Sequence, residues 1–151
     1  MSIKLEVQAI VTTTHRVSTH VLLLTSPALP TGALTLPGGA LRGEGLVDTV
    51  IRSISDASEL RLEPGRLRVD RIEDSPHPNG RPITVVYSAF LPDEYIERNM
   101  IIHQPLKHGS PPGFYPLSGL DQLNLSDRDR QAIKDTVRAP ANSPVRSLTE
   151  D

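Results

Sequence analysis

Three features of the sequence predict an α/β domain. Apolar residues alternate with a period of two near the N-terminus, helical spacing takes over after Gly45, and a capped helical stretch lies near the C-terminus. A chain of 151 residues is one domain's worth of polymer.

Leu5, Val7, Ala9 and Val11 alternate, so Leu5–Val11 is predicted as a strand. Thr12-Thr13-Thr14-His15-Arg16 reads as a polar turn, and Val17–Thr25, containing Val21-Leu22-Leu23-Leu24, reads as a second strand buried on both faces; the two form an antiparallel hairpin. The Pro and Gly residues between Ser26 and Gly32 mark a loop, and Ala33–Leu36 is a short strand that stops at Pro37-Gly38-Gly39.

Leu46, Val47, Val50, Ile51, Ile54 and Ala57 form one apolar stripe at helical spacing and predict a helix that ends near Ser58-Glu59. Leu67, Val69 and Ile72 suggest a strand. The turn formers from Asp74 to Pro82 separate it from the β-prone Ile83–Leu91, so a long hairpin is predicted. Between Pro92 and Pro112 a short helix near Glu94–Asn99 is the expectation. Ser126 or Asp127 caps a last helix reaching Arg138. A single domain over residues 1–139 and a loose tail over 140–151 follow.

Composition excludes some functions. Cys is absent, which removes thiol chemistry and cysteine zinc sites. Lys+Arg number 16 against 18 for Asp+Glu, a net charge of -2 without a basic block, so nucleic acid is not expected as a partner. No run reaches membrane-spanning length, and Met1–Glu6 lacks the apolar core of a signal peptide, so neither a membrane nor export is expected and a cytoplasmic location is. His77, His103 and His108 lack metal-ligand spacing and read as surface residues.

The segment from Pro37-Gly38-Gly39 through Gly43-Glu44, followed after seven residues by Arg52-Ser53-Ile54-Ser55-Asp56-Ala57-Ser58-Glu59-Leu60, resembles a Nudix box. The family pattern is G-x5-E-x7-R-E-U-x-E-E-x-G-U, with U a bulky aliphatic residue. Gly38, Glu44, Arg52, Ile54 and Leu60 match it in spacing. The acidic core departs from it: Ser53 stands for the first helix Glu, Asp56 and Ala57 for the Glu pair, and Glu59 for the second Gly. Two further stretches, Asp74–Tyr87 and Phe114–Asp129, are similar to the hairpin and to the entry of the last helix in the ADP-ribose pyrophosphatase-like branch. In the latter, Tyr115 replaces Trp, Gln122 replaces Pro and Arg128 replaces His.

The resemblance implies a Nudix-type α/β/α sandwich with a mixed β-sheet. It also implies a nucleoside diphosphate derivative such as ADP-ribose as ligand, and Mg²⁺ or Mn²⁺ as cofactor if the chain is active. Carboxylates at i, i+3 and i+4 share a helix face and can converge on such an ion. Ser53, Asp56 and Ala57 leave one carboxylate there, so weak or lost hydrolysis is the expectation, with no cofactor as its limiting case; whether the chain is an enzyme stays open. An active hydrolase with substitute ligands and a non-catalytic sensor or interaction module are the alternatives. A homodimer is left open.

The residues carried over are Glu44, Arg52 and Asp56 for catalysis, Glu44 and Asp56 for metal, and Gly38, Gly39, Arg81 and Tyr87 for substrate. Each has a structural alternative. Glu44 suits the helix N-terminus. Arg52 fits a surface ladder with Asp48 and Asp56. Gly38 and Gly39 fit a tight turn. Arg81 fits a solvated turn, and Tyr87 a half-buried strand position.

Overall fold

The computed structural model describes residues 3–41, 43–58, 60–74, 81–92 and 111–142. The short helix expected near Glu94–Asn99, most of the turn between Asp74 and Pro82, and the tail beyond residue 142 lie outside the described residues.

Strands β1 (Ile3–His15), β2 (Ser18–Leu23), β3 (Gly38–Ala40), β4 (Arg68–Asp74), β5 (Arg81–Leu91) and β6 (Gly113–Pro116) form one sheet. Its order is β4-β5-β1-β2-β6, with β3 paired to β1. The β1–β5 pair is parallel, from Ile3 opposite Arg81 to Thr13 opposite Leu91. The β1–β2, β1–β3, β2–β6 and β4–β5 pairs are antiparallel, so the sheet is mixed, as expected.

Helix α1 (Leu46–Ala57) covers one face and helix α2 (Asp127–Asn142) the other. Side chains alternate across a strand, and this alternation builds two cores. Val7, Ala9 and Val11 of β1 pack with Leu22, Leu24, Val85 and Leu91 beneath Val50 and Ile54 of α1. Ile10, Val21, Leu23, Val86 and Tyr115 pack with Leu120, Leu123, Ala132 and Ile133 on the α2 side. Burial of this kind stabilises by about 1.5–3 kcal/mol per large aliphatic side chain. Arg71 fastens the edge strand β4 to α2, donating from Nη1 to Thr136 Oγ1 at 2.7 Å and from Nη2 to the Ala132 carbonyl at 3.3 Å. Burial works against its charge, but the hydrogen bonds and charges of Glu73 and Asp70 together outweigh that, so its pKa is raised.

Several sequence expectations need correction. The Thr12–Arg16 segment is not a turn: β1 continues to His15, and the turn is Arg16-Val17 alone, at φ 50° and 59°. Thr13 is fully buried and donates from Oγ1 to the Leu91 carbonyl at 2.7 Å, which lets a hydroxyl sit inside the sheet. Ala33–Leu36 makes single bridges, Leu24 with Thr35 and Leu34 with Leu125, instead of a strand. The Pro37-Gly38-Gly39 segment leads into strand β3. The last helix extends past Arg138 to Asn142. Helix α1 has the bounds its apolar stripe predicts.

Candidate functional site

The sheet, the loop before β3, one side of α1 and the start of α2 enclose a cleft of about 1230 Å³. Its walls are Glu6, Val7 and Gln8 of β1, the loop from Leu24 to Gly32, all of β3, one side of α1 and the first turn of α2. The α1 side presents Thr49, Arg52, Ser53, Asp56 and Ala57; the α2 end presents Arg128 and Asp129.

The glycines position β3. Gly38 has φ +130°, and a Cβ there would lie 2.0 Å from the Val7 carbonyl oxygen, so only glycine lets β3 lie this close against β1. Ser53 then ties β3 to α1: its Oγ accepts the Gly38 N–H at 2.9 Å and donates to the Val50 carbonyl at 2.8 Å. The Gly38 N–H therefore has a partner inside the protein. Gly39, at φ +140°, has open space where a Cβ would be.

Arg52 Nη2 lies 2.7 Å from Glu44 Oε1. This pair joins α1 to the loop before it. Glu44 does not cap α1: the N-cap is Gly45, and no side chain caps the helix. Asp56 is exposed and lines the cleft one helical turn beyond Arg52. The structure thus brings Gly38, Gly39, Arg52 and Asp56 to one cleft and puts Glu44 beside Arg52. Tyr87 lies elsewhere, buried in the apolar layer beneath α1 and outside the cleft lining. Arg81 opens β5 opposite Ile3, and its side chain lies outside the described residues.

The donor set fits a caged divalent ion poorly. On the α1 face, Ser53 is a hydroxyl already occupied by two backbone groups, Ala57 is a methyl, and Asp56 is the remaining carboxylate. Hard divalent ions take six or more oxygen ligands, with several carboxylates among them in an all-protein site. Among the described residues no three of His, Asp and Glu come together as ligands.

Sequence reasoning missed the floor of the cleft. Asp129 is buried, and its Oδ1 accepts Gln8 Nε2 at 2.9 Å while its Oδ2 accepts Thr35 Oγ1 at 3.1 Å and the Leu36 N–H at 3.4 Å. Arg128 Nη2 donates to Thr84 Oγ1 at 2.8 Å and lies 3.6 Å from Glu6 Oε1. The polar alternates Glu6 and Gln8 within the apolar pattern of β1 were the available signal. A smaller cavity of about 530 Å³, lined in part by Thr12, Arg68 and Phe90, holds none of the candidate residues. No helix among the described residues is long and apolar enough to cross a membrane.

No protein-family model matches the chain, and no curated protein matches it in sequence. Solved structures do match. The NUDIX domain of Shewanella oneidensis NrtR, complexed with ADP ribose, is 23% identical with a TM-score of 0.67, over 93% of this chain and 90% of that one. NrtR complexed with a 27mer DNA is 22% identical with a TM-score of 0.68, over 91% of this chain, which spans 62% of that longer one. A mutT/nudix family protein from Listeria innocua is 21% identical with a TM-score of 0.63, over 92% and 94% of the two chains.

The DNA complex overturns the expectation that nucleic acid is no partner. Whole-chain charge is a sum over all faces, so a balance near zero does not bear on what one surface, or a longer protein carrying this domain, contacts. The order and pairing of the strands, the two covering helices and these structural likenesses agree on the architecture: the chain has the Nudix fold.

Proposed function

We propose that this chain binds a nucleoside diphosphate derivative of the ADP-ribose type in the cleft between β3, α1 and the start of α2, and that it hydrolyses it weakly or not at all. The observation that carries this reading is the use of Ser53. At the position of a box carboxylate it bonds the Gly38 N–H and the Val50 carbonyl, with Ala57 one turn on, so the α1 face offers Asp56 alone. The ligand class is supported by a neighbour of the same fold that is complexed with ADP ribose. Within this reading residues 1–139 are the binding domain, and the chain works in the cytoplasm.

The Arg52–Glu44 pair supports a second reading, an active hydrolase in which Mg²⁺ or Mn²⁺ is held by Glu44, Asp56 and carboxylates from other segments. A thermal-shift screen with ADP-ribose and nucleotide sugars, with and without Mg²⁺ or Mn²⁺, separates the two. Stabilisation by ADP-ribose in EDTA, with no product formed when metal is added, is the expected result. Metal-dependent turnover that Glu44→Gln and Asp56→Asn abolish would replace the first reading with the second.

A further inference from the structure

Two arginines line the cleft among the described residues, and their surroundings differ. Arg52 is in close contact with Glu44 at 2.7 Å. Arg128 is anchored on the sheet by Thr84 Oγ1 at 2.8 Å, while its carboxylate neighbour, Glu6, stands off at 3.6 Å. Thr84 is fully buried and sits opposite Glu6 in the β1–β5 register, so the anchor belongs to the buried middle of the sheet. The Arg128 side chain is half exposed, and the adjacent carboxylate, Asp129, is engaged by Gln8, Thr35 and Leu36.

We propose that Arg128 receives the diphosphate of the cleft's ligand and that Glu6 is the carboxylate it leaves on binding. This rests on the functional reading above and adds the residue that recognises the anion. A guanidinium has a planar fork of donors that matches two phosphate oxygens. Thr84 holds one arm of that fork and fixes its plane. At 3.6 Å, Glu6 supplies charge compensation in the unliganded state without a short hydrogen bond to be broken.

The charges give the proposal a sign. Glu6, Asp56 and Asp129 line the cleft together with Arg52 and Arg128, so the walls carry one more negative than positive charge before a dianionic ligand enters. Removing the Arg128 charge weakens binding, and removing the Glu6 charge strengthens it. A residue that merely holds the fold together would not produce opposite signs in its two partners.

The test is calorimetric titration of ADP-ribose and of adenosine, in EDTA, into the intact chain and into its Arg128→Gln, Arg128→Lys and Glu6→Gln variants. Circular dichroism confirms that each variant is folded. Arg128→Gln is expected to weaken ADP-ribose by about tenfold or more and to leave adenosine unchanged, since a hydrogen bond to a charged group is worth roughly 1.5–3 kcal/mol. It also flattens the salt dependence of ADP-ribose binding. Glu6→Gln is expected to tighten ADP-ribose by about threefold, and Arg128→Lys to fall between the native chain and Arg128→Gln. If the native chain binds ADP-ribose and Arg128→Gln binds it equally well, or loses both ligands alike, the assignment of Arg128 is overturned while the functional reading stands. If the native chain binds no ADP-ribose, both are overturned. Should Arg128→Gln fail to fold, the Glu6→Gln titration decides: unchanged or weaker ADP-ribose binding overturns the assignment.

Discussion

Ser53 Oγ accepts the backbone N–H of Gly38 at 2.9 Å, and through this bond a residue of α1 is tied to the strand beside it in the lining of the cleft. A hydroxyl has replaced a carboxylate in the pattern this segment resembles, and it has become part of the scaffold. Ser53→Ala leaves the Gly38 N–H without its partner and should cost about 1–2 kcal/mol, read as a shift in the urea midpoint.

The same relationship predicts what restoring the acidic face would do. Ser53→Glu combined with Ala57→Glu sets two carboxylates beside Asp56 on one face of α1. Mg²⁺ alone should then raise the melting temperature of the double variant by several degrees and leave the native chain unaffected. In EDTA the double variant should melt below the native chain, because like charges now crowd one helix face. An equal response of both proteins to Mg²⁺ would show that α1 does not govern metal binding.

Asp129 makes the corresponding connection on the other side of the cleft. One buried carboxylate joins β1 through Gln8 to the segment before β3 through Thr35 and Leu36, across a separation of 121 residues in the case of Gln8. Asp129→Ala strands these donors and should destabilise by about 3 kcal/mol. Asp129→Asn keeps the shape and one acceptor and should cost roughly half as much. Denaturant titration of the two variants measures the difference.

What the sequence revealed and what it hid follow from how local each signal is. The stripe from Leu46 to Ala57 alternates at helical period within a single element, and α1 has those bounds. The hairpin partners β4 and β5 were legible for the same reason. The threonines before the first turn look like turn formers by polarity alone, yet polarity is not exposure. Thr13 instead satisfies its hydroxyl on Leu91, in a strand that is its neighbour only in the parallel pairing. Strand β3 has no pattern of its own, since Gly38-Gly39-Ala40 is held by what lies on either side of it. In the site, motif spacing singles out Glu44 and Arg52 one by one, and the structure shows that they pair. The group of Glu6, Thr84 and Arg128 has no such signal, because it is drawn from β1, β5 and α2 and comes together only when the sheet forms.

The β1–β2 turn can be improved. Arg16 and Val17 both adopt positive φ in a two-residue loop closed by the His15–Ser18 pair, and Val17 is almost fully exposed. A β-branched residue is strained there, whereas Asn-Gly suits such a turn. The Arg16→Asn, Val17→Gly pair should stabilise the chain by about 1 kcal/mol, seen as a higher thermal midpoint with unchanged ligand affinity.

Gly38 and Gly39 are adjacent and share a positive φ, yet their substitutions should differ. A Cβ at Gly38 meets the Val7 carbonyl at 2.0 Å, a contact that only movement of β3 away from β1 can relieve. A Cβ at Gly39 meets nothing within 4 Å, so its cost is conformational alone. Gly39→Ala should cost about 1–2 kcal/mol from backbone strain. Gly38→Ala adds the clash and should reach about 3–4 kcal/mol, since a packed interior yields little to an extra methyl group. Moving β3 also pulls Gly38 from Ser53, so ligand affinity should fall with stability in Gly38→Ala and hold in Gly39→Ala. Paired denaturation and binding measurements on the two variants check this, and equal losses in both would mean that β3 does not depend on its close approach to Val7.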